Sequence, residues 1–378
     1  MRRLVLLVSA IVAVDTMFFA VLTPLLPHLA HRFRLSKGEA GVLVATYAAG
    51  ALAAAVPGGI FTTRVGPKAA VLGGLTLMSC SSVGFALAGD AWTLGLSRLL
   101  QGIGSAFSWA GALAWLVAAG PRERRGELLG GAMGAAVFGA LLGPVLGATA
   151  GVVGTRPTFV FVSVLGIALL VWALGTPGVA PEPQPFSQLR RAARQERLLA
   201  GLWLIFLPAI LFGVLVVLVP LRLGHFGWGP VAIGAVFLAT TALETVLNPL
   251  LGRFADRRGV LLPIRVGLVA SIAVSLALAW AGHAVEIVPL VLVAGLAYGM
   301  FYTPGLALIS TTADQLGLAQ GLAFGLMNAC WAVGAIAGPA LGGRLAEATG
   351  DGPAYLTAAS LCLATLLLAP RARVAEAV

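Results

Sequence analysis

Gly139-Ala-Leu-Leu-Gly143-Pro144-Val-Leu-Gly147-Ala148 is spelled again, 195 positions later (338 − 143), as Gly334-Ala-Ile-Ala-Gly338-Pro339-Ala-Leu-Gly342-Gly343. Glycines four apart flatten one face of a helix and let another backbone approach closely, which is how helices associate in lipid. The proline in each copy cannot donate to the carbonyl of Ala140 or Ala335, which predicts a kink at a fixed place. Other pairs keep nearly the same offset. Gly59-Ile-Phe-Thr-Thr63-Arg64-Val-Gly66 matches Gly252-Arg-Phe-Ala-Asp256-Arg257-Arg258-Gly259 at 193, as do Pro27 with Pro220 and Gly102 with Gly295. The chain is internally duplicated.

Hydrophobic residues make up 59% of the 378 and charged residues 10%, against about 45 to 50% and about 25% in soluble domains. The apolar segments run about 20 residues without strand-like alternation, the length a helix needs to cross a bilayer. Spans are predicted near 4–26, 39–61, 69–89, 92–117, 127–150, 157–175, 199–221, 230–252, 261–281, 286–309, 318–343 and 353–370. The expected fold is an all-α membrane protein with twelve transmembrane helices in two pseudo-symmetric six-helix bundles. Residues 1–175 form the first bundle, 176–198 a cytoplasmic linker and 199–378 the second bundle. The linker carries Pro177, Pro181, Pro183 and Pro185 and then a basic stretch, Gln188 to Arg197, expected to lie on the membrane surface as an amphipathic helix.

The net charge of +10 is a matter of topology rather than of nucleic-acid binding. Seventeen Lys and Arg residues fall in segments on the side of the termini, against six on the other: Arg32, Arg34, Lys37, Arg156, Arg222 and Arg344. The positive-inside rule then puts both termini in the cytoplasm of a cell (plasma or inner) membrane. The three cysteines, Cys80, Cys330 and Cys362, are scattered within spans and suggest neither a disulfide framework nor a metal cluster. Met-Arg-Arg before an apolar run mimics a signal peptide, but Asp15 interrupts that run, and the segment is read as retained.

Two six-helix bundles joined by a cytoplasmic linker resemble the major facilitator superfamily over almost the whole chain. The residues that carry the resemblance are the loop after span 2 (Gly59, Arg64, Gly66) and its copy after span 8 (Gly252, Asp256, Arg257). To these add Arg98-Leu-Leu-Gln101-Gly102-Ile-Gly104-Ser-Ala106 in span 4 and the Gly143-Pro144 segment of span 5. In that family the last two occur together most often in drug/proton antiporters. The resemblance implies a proton-coupled exporter that alternates between inward-open and outward-open forms. Thr63 stands where the family usually has an acid thought to latch the cytoplasmic side, and the position matching Arg98 in the second repeat is Val291, so polar chemistry is unequal between the halves.

Arg98 lies several turns inside a span, at a cost of at least about 2.5 to 3.5 kcal/mol unless paired or hydrated. It shares a helix face with Gln101, Ser105 and Trp109, at steps of 3, 4 and 4, and should face a cavity unless it snorkels to the outer surface. Asp15 sits mid-span with Phe18, Phe19 and Leu22 on its face. Burial disfavours its carboxylate and a nearby Arg98 would favour it, a balance suited to taking and releasing a proton. Glu244 in span 8, after Thr240 and Thr241 and four before Asn248, is a second acidic candidate. Asp15, Arg98 and Glu244 are therefore the expected proton-coupling residues. Phe18, Phe19, Tyr47, Gln101, Trp109, Tyr298, Tyr302, Phe324, Asn328 and Trp331 are the expected substrate-binding residues, a pocket of aromatics with few polar anchors. A conformational role is expected for Gly59, Arg64, Gly66, Gly143, Pro144, Gly252, Asp256, Arg257, Gly338 and Pro339, with Gly143-Pro144 and Gly338-Pro339 expected to set kinks and close helix contacts at the interface between the bundles.

No His-Glu-x-x-His, Gly-x-Ser-x-Gly or Gly-x-x-x-x-Gly-Lys-Ser/Thr occurs, so no enzyme activity, cofactor or metal is expected. The expected partners are a small-molecule substrate, protons and membrane lipid, with no nucleic acid, and the chain is expected to act as a monomer. The leading functional expectation is export of small hydrophobic or drug-like compounds in exchange for protons. Symport or facilitated uptake of a small metabolite, and a sensor that binds without transporting, remain open.

Overall fold

The structure is a computed structural model that describes residues 1–121, 125–180, 195–258, 261–316 and 320–368, the side chains of 125–127, 248–258, 320–322 and 324 excepted. The first half comprises α1 (Arg2–Ala20), α2 (Leu22–Phe33), α3 (Lys37–Arg64), α4 (Pro67–Leu87), α5 (Ala91–Ala119), α6 (Arg125–Val153) and α7 (Thr155–Leu174). The second comprises α8 (Glu196–His225), α9 (Pro230–Arg258), α10 (Leu261–Trp280), α11 (Ala284–Gly299), α12 (Tyr302–Gln315), α13 (Gln320–Thr349) and α14 (Asp351–Leu368). Among the described residues twelve helical segments are long and apolar enough to cross a membrane, with α1–α2 and α11–α12 each counting as one. The first span is longer than its sequence pattern indicated, Arg2–Phe33 in place of 4–26. Most of the proposed surface helix of the linker lies outside the described residues; its last two residues, Glu196 and Arg197, open α8.

Both helices that carry the repeated Gly-Pro stretch, α6 and α13, run through their proline without interruption. The interruptions fall in two other spans, at Val21 between α1 and α2 and at Met300–Phe301 between α11 and α12. Proline explains each of them. Pro24 cannot donate to Ala20 and Pro304 cannot donate to Met300, so the ladder loses a bond just where the helix is broken.

The glycine stripes seat each helix inside its own bundle. A Cβ on Gly139, Gly143 or Gly147 would overlap Ala13, Ala20 or Pro24 on the first span, and a Cβ on Gly334, Gly338 or Gly342 would press on Phe206, Ile210 or Val214 of α8. The expectation that Gly143 and Gly338 line the interface between bundles is thereby corrected: on a helix the residue beside them faces elsewhere, and it is their prolines that reach across. The Pro144 carbonyl abuts Gly234 of α9, and the Pro339 carbonyl abuts Gly41 of α3.

The bundles meet at the end away from the termini and separate at the other. One apolar core there joins Leu25, Leu26 and Leu43 of the first bundle to Leu211, Leu218 and Ile233 of the second. Toward the termini the buried clusters are separate, one around Leu7, Ile11 and Trp115 and another around Leu198, Ile205 and Ile309. The glycines report the same divergence. Gly41 and Gly343 are in close cross-bundle contact, whereas Gly59 and Gly325, each eighteen residues along the same helix, have no atom within 4 Å of an added Cβ. Eighteen residues are five turns, so the same helix face is compared at both ends.

Candidate functional site

Asp15 lies in α1, 3% exposed, and its carboxylate accepts three hydrogen bonds. Tyr47 of α3 donates to Oδ1 at 3.2 Å; Ser105 of α5 donates to Oδ2 at 2.9 Å, and the Trp109 indole N–H donates to the same oxygen. A buried carboxylate is costly unless its lone pairs are satisfied, and these donors satisfy them.

Arg98 of α5 is 1% exposed, so it does not snorkel. Nor does it pair with Asp15. Its guanidinium donates to the carbonyl oxygens of Phe18 (2.9 Å) and Phe19 (3.3 Å) and to Gln101 Oε1 (3.1 Å), leaving its Nε without a hydrogen-bond partner. The two carbonyls belong to the last turn of α1, where the helix dipole favours a cation. Tyr47 joins the two groups: its hydroxyl is on Asp15, and its ring lies 4.6 Å from the guanidinium carbon. Gln101 continues the chain to Ser82 at 3.3 Å.

The span 4 motif acquires a physical meaning. Arg98, Gln101 and Ser105 are on its polar face, while Gly102 lets α3 come so close that a Cβ would overlap the Tyr47 carbonyl, and Gly104 does the same for Gly74 and Met78 of α4. Overpacking of this kind costs about 1 to 3 kcal/mol. Gly102→Val is therefore expected to displace Tyr47 from the network, lowering the thermal unfolding midpoint together with transport. A variant as stable and active as the wild type would contradict the close packing.

A cavity of about 210 Å³ lies between the bundles, walled by Phe19, Phe212, Phe237, Tyr302 and Trp331 and by Pro144 and Pro339, with Thr23, Thr240, Thr241 and Glu244 as its polar groups. Among the described lining residues Glu244 is the one charged side chain. Phe19 and Trp331, from opposite bundles, stack edge to face at 5.1 Å across it. A second groove, of about 460 Å³ between α4 and α5, is open and lined by residues such as Leu77, Cys80, Gly84 and Leu96; no Asp, Glu, His, Lys or Arg is among its described lining residues.

Of the residues expected to bind substrate, Phe19, Tyr302 and Trp331 line the cavity. Phe18 does not: it packs on Met78 and Val162, because the helix face it shares with Asp15 turns into the first bundle. Tyr47 and Gln101 belong to the buried network, Trp109 is half-buried on Asp15, and Tyr298 is buried with its hydroxyl 2.9 Å from Ser275. Asn328 is half-buried and does not line the cavity. The side chains of Phe324, Asp256 and Arg257 lie outside the described residues, and so does the surroundings of Gly252. Arg64 is exposed; Gly66 has φ +121, a left-handed conformation that favours glycine, just before Pro67. Thr63, in place of the family's acid, turns its hydroxyl back to the Ile60 carbonyl at 3.0 Å. Phe212, Thr23 and the two prolines were missed as cavity residues. The prolines stood in the repeat, and their place one residue, about 100° of helix rotation, from the glycine contacts was the available signal.

Residues 8–323 match the family model described as Major Facilitator Superfamily, and the chain belongs to that superfamily. It is 24% identical over 381 aligned positions to an uncharacterized MFS-type transporter of Yersinia pestis (strain Pestoides F), an alignment that covers 97% of this chain and 95% of the relative. Two solved structures are similar in fold. One is a bacterial homolog to the human lysosomal transporter Spinster in an inward-facing and unoccupied conformation, with TM-score 0.77, 16% identity and coverage of 97% of this chain and 93% of that one. The other is a D-xylose-proton symporter, with TM-score 0.74, 16% identity and coverage of 97% and 96%. The protein is a multi-pass membrane transporter of small molecules and not an enzyme.

Proposed function

We propose that this transporter exports small, largely apolar neutral or cationic compounds in exchange for protons, with Asp15 as the proton carrier. The observation that carries the reading is the separation of two acids. Asp15 is buried in the first bundle among three donors, whereas Glu244, from the second bundle, lines the aromatic cavity. One acid is thus available for the proton and the other for the substrate, on halves that move relative to each other in alternating access. Both termini are taken as cytoplasmic in the cell membrane, so the separated end faces the cytoplasm.

The donors of Asp15 suggest how a proton is accommodated. The indole of Trp109 only donates, but the hydroxyls of Tyr47 and Ser105 also accept. A protonated Asp15 can turn its O–H to Tyr47 by reversing that one hydrogen bond, without moving a heavy atom. The change in charge is then felt through the Tyr47 ring by Arg98, and through Arg98 by the end of α1 at the break before α2. Proton binding is in this way linked to a place where the first span can bend.

The test is gradient-driven flux of the lipophilic cation ethidium in proteoliposomes with an acidified lumen, the membrane potential clamped by valinomycin and equal potassium. Ethidium is expected to accumulate inside as protons leave. Movement of ethidium outward with the protons would make the protein a symporter, and binding without flux would make it a sensor. In the same vesicles Glu244→Gln is expected to lower ethidium transport about tenfold, the effect of one lost charge contact in a desolvated cavity, while sparing neutral dyes. Equal loss for both kinds of dye would assign Glu244 to coupling or packing.

A further inference from the structure

At the end where the bundles meet, polar groups cross between them. Ser36 caps α3: its hydroxyl oxygen accepts the Glu39 N–H, and Glu39 Oε2 accepts the Ser36 N–H at 2.8 Å. The same Ser36 hydroxyl donates to Glu347 Oε2 of α13 at 2.9 Å, and the Gly38 N–H donates to that oxygen at 2.9 Å. A carboxylate of the second bundle thus completes the N-terminus of a helix of the first, where free N–H groups and the helix dipole favour an anion. Beside it the Lys37 ammonium contacts Asp351 Oδ1, and Asp351 Oδ2 lies 3.6 Å from Arg222 Nε. Arg222 is fixed in turn by donating to the carbonyls of Leu278 (2.9 Å) and Ala281.

We propose that Lys37, Arg222, Glu347 and Asp351 form a polar latch that closes this end of the cleft, and that opening here requires the start of α3 to leave both carboxylates. Lys37 and Glu347 stand at the wet rim, where water competes for them. Asp351 and Arg222 are mostly buried, with side chains 15% and 17% exposed. Asp351 is the keystone because it lies between two cations from opposite bundles; without it Lys37 and Arg222 face each other unneutralised in the closed form, a penalty that the open form relieves. At the other end, Thr63 supplies no acid. The latch favours the state closed at this end and separated at the other, which is the state observed. The inference rests on the alternating-access reading but needs neither a substrate nor a proton gradient.

The experiment uses the full chain, with Cys80, Cys330 and Cys362 replaced, in nanodiscs without ligand. Spin labels at Arg156 and Val285, exposed residues at this end on opposite bundles, report the distance across the mouth. Asp351→Asn is expected to raise the long-distance population about tenfold, and Glu347→Gln to raise it less. Asp90→Asn, an exposed acid at the same end that accepts a hydrogen bond from Thr93 of its own helix, should leave it unchanged. If Asp351→Asn does not yield folded protein, Lys37→Gln reads the same ion pair. A population unchanged in the Asp351 or Lys37 variant, or raised as far by Asp90→Asn, overturns the latch. A wild type that populates the longer distance at some pH shows that this end opens, so that such a result counts against the latch alone; a wild type and variants that never populate it at any pH count against both the latch and the alternating-access reading on which it rests.

Discussion

Asp15→Asn is expected to abolish substrate accumulation driven by a pH gradient while substrate-for-substrate exchange continues. Asparagine has the shape of aspartate, and its carbonyl oxygen can keep the bonds from Ser105 and Trp109 while its amide N–H donates to the Tyr47 hydroxyl, an acceptor as well as a donor. The network therefore survives, and with it the fold. What is lost is the ability to carry a proton. The substitution should mimic the protonated state and leave exchange, which needs no net proton movement, within a fewfold of wild type. Gradient-driven uptake is expected to fall to the level of empty liposomes. Uptake at the wild-type rate in Asp15→Asn would remove Asp15 from the coupling step.

Gly143→Leu is the second substitution with a large expected effect. A Cβ at 143 would already overlap the Ala20 side chain and come within 3.1 Å of the Met17 carbonyl oxygen, so three further carbons have no room. Met17 and Ala20 belong to the last turn of α1, and the Phe18 and Phe19 carbonyls of that turn are the ones that Arg98 holds. The new side chain would push this turn while Arg98 grips it. Overpacking costs about 1 to 3 kcal/mol, and about 1.4 kcal/mol changes an equilibrium constant tenfold. States of a transporter that differ by a few kcal/mol are thus redistributed, and coupled transport is expected to be lost in a protein that still inserts. Pro144→Ala, which restores a donor to Ala140, is expected to impair coupling more than binding. Labelling of single cysteines at the two mouths checks both: an unchanged ratio of accessibilities with normal transport in Gly143→Leu would contradict this role.

The twofold plan was legible because it is written in residues that physics keeps rare or places narrowly. The Gly-Pro stretches, the mid-span arginine and the 193-residue offsets each stand out against an apolar background. The grouping of Arg98, Gln101, Ser105 and Trp109 was legible for the same reason, since helical periodicity fixes which side chains share a face. Periodicity does not fix what that face meets. Tyr47 read as a pocket aromatic, whereas its position between Asp15 and Arg98 depends on the depth at which Gly50 and Gly102 lock α3 against α5. The breaks at Val21 and at Met300–Phe301 depend on Pro24 and Pro304, which the repeat did not single out. The latch was beyond reach for another reason: Lys37 and Asp351 are 314 positions apart, and nothing local to either one pairs it with the other.

The most direct test of the central claim, that Asp15 releases its proton when substrate is taken up, is infrared difference spectroscopy of the purified protein with and without ethidium. Wild type is expected to lose a protonated-carboxyl stretch on ligand addition, and Asp15→Asn to lack that loss. No carboxyl change in the wild type, or the same change in Asp15→Asn, would contradict it.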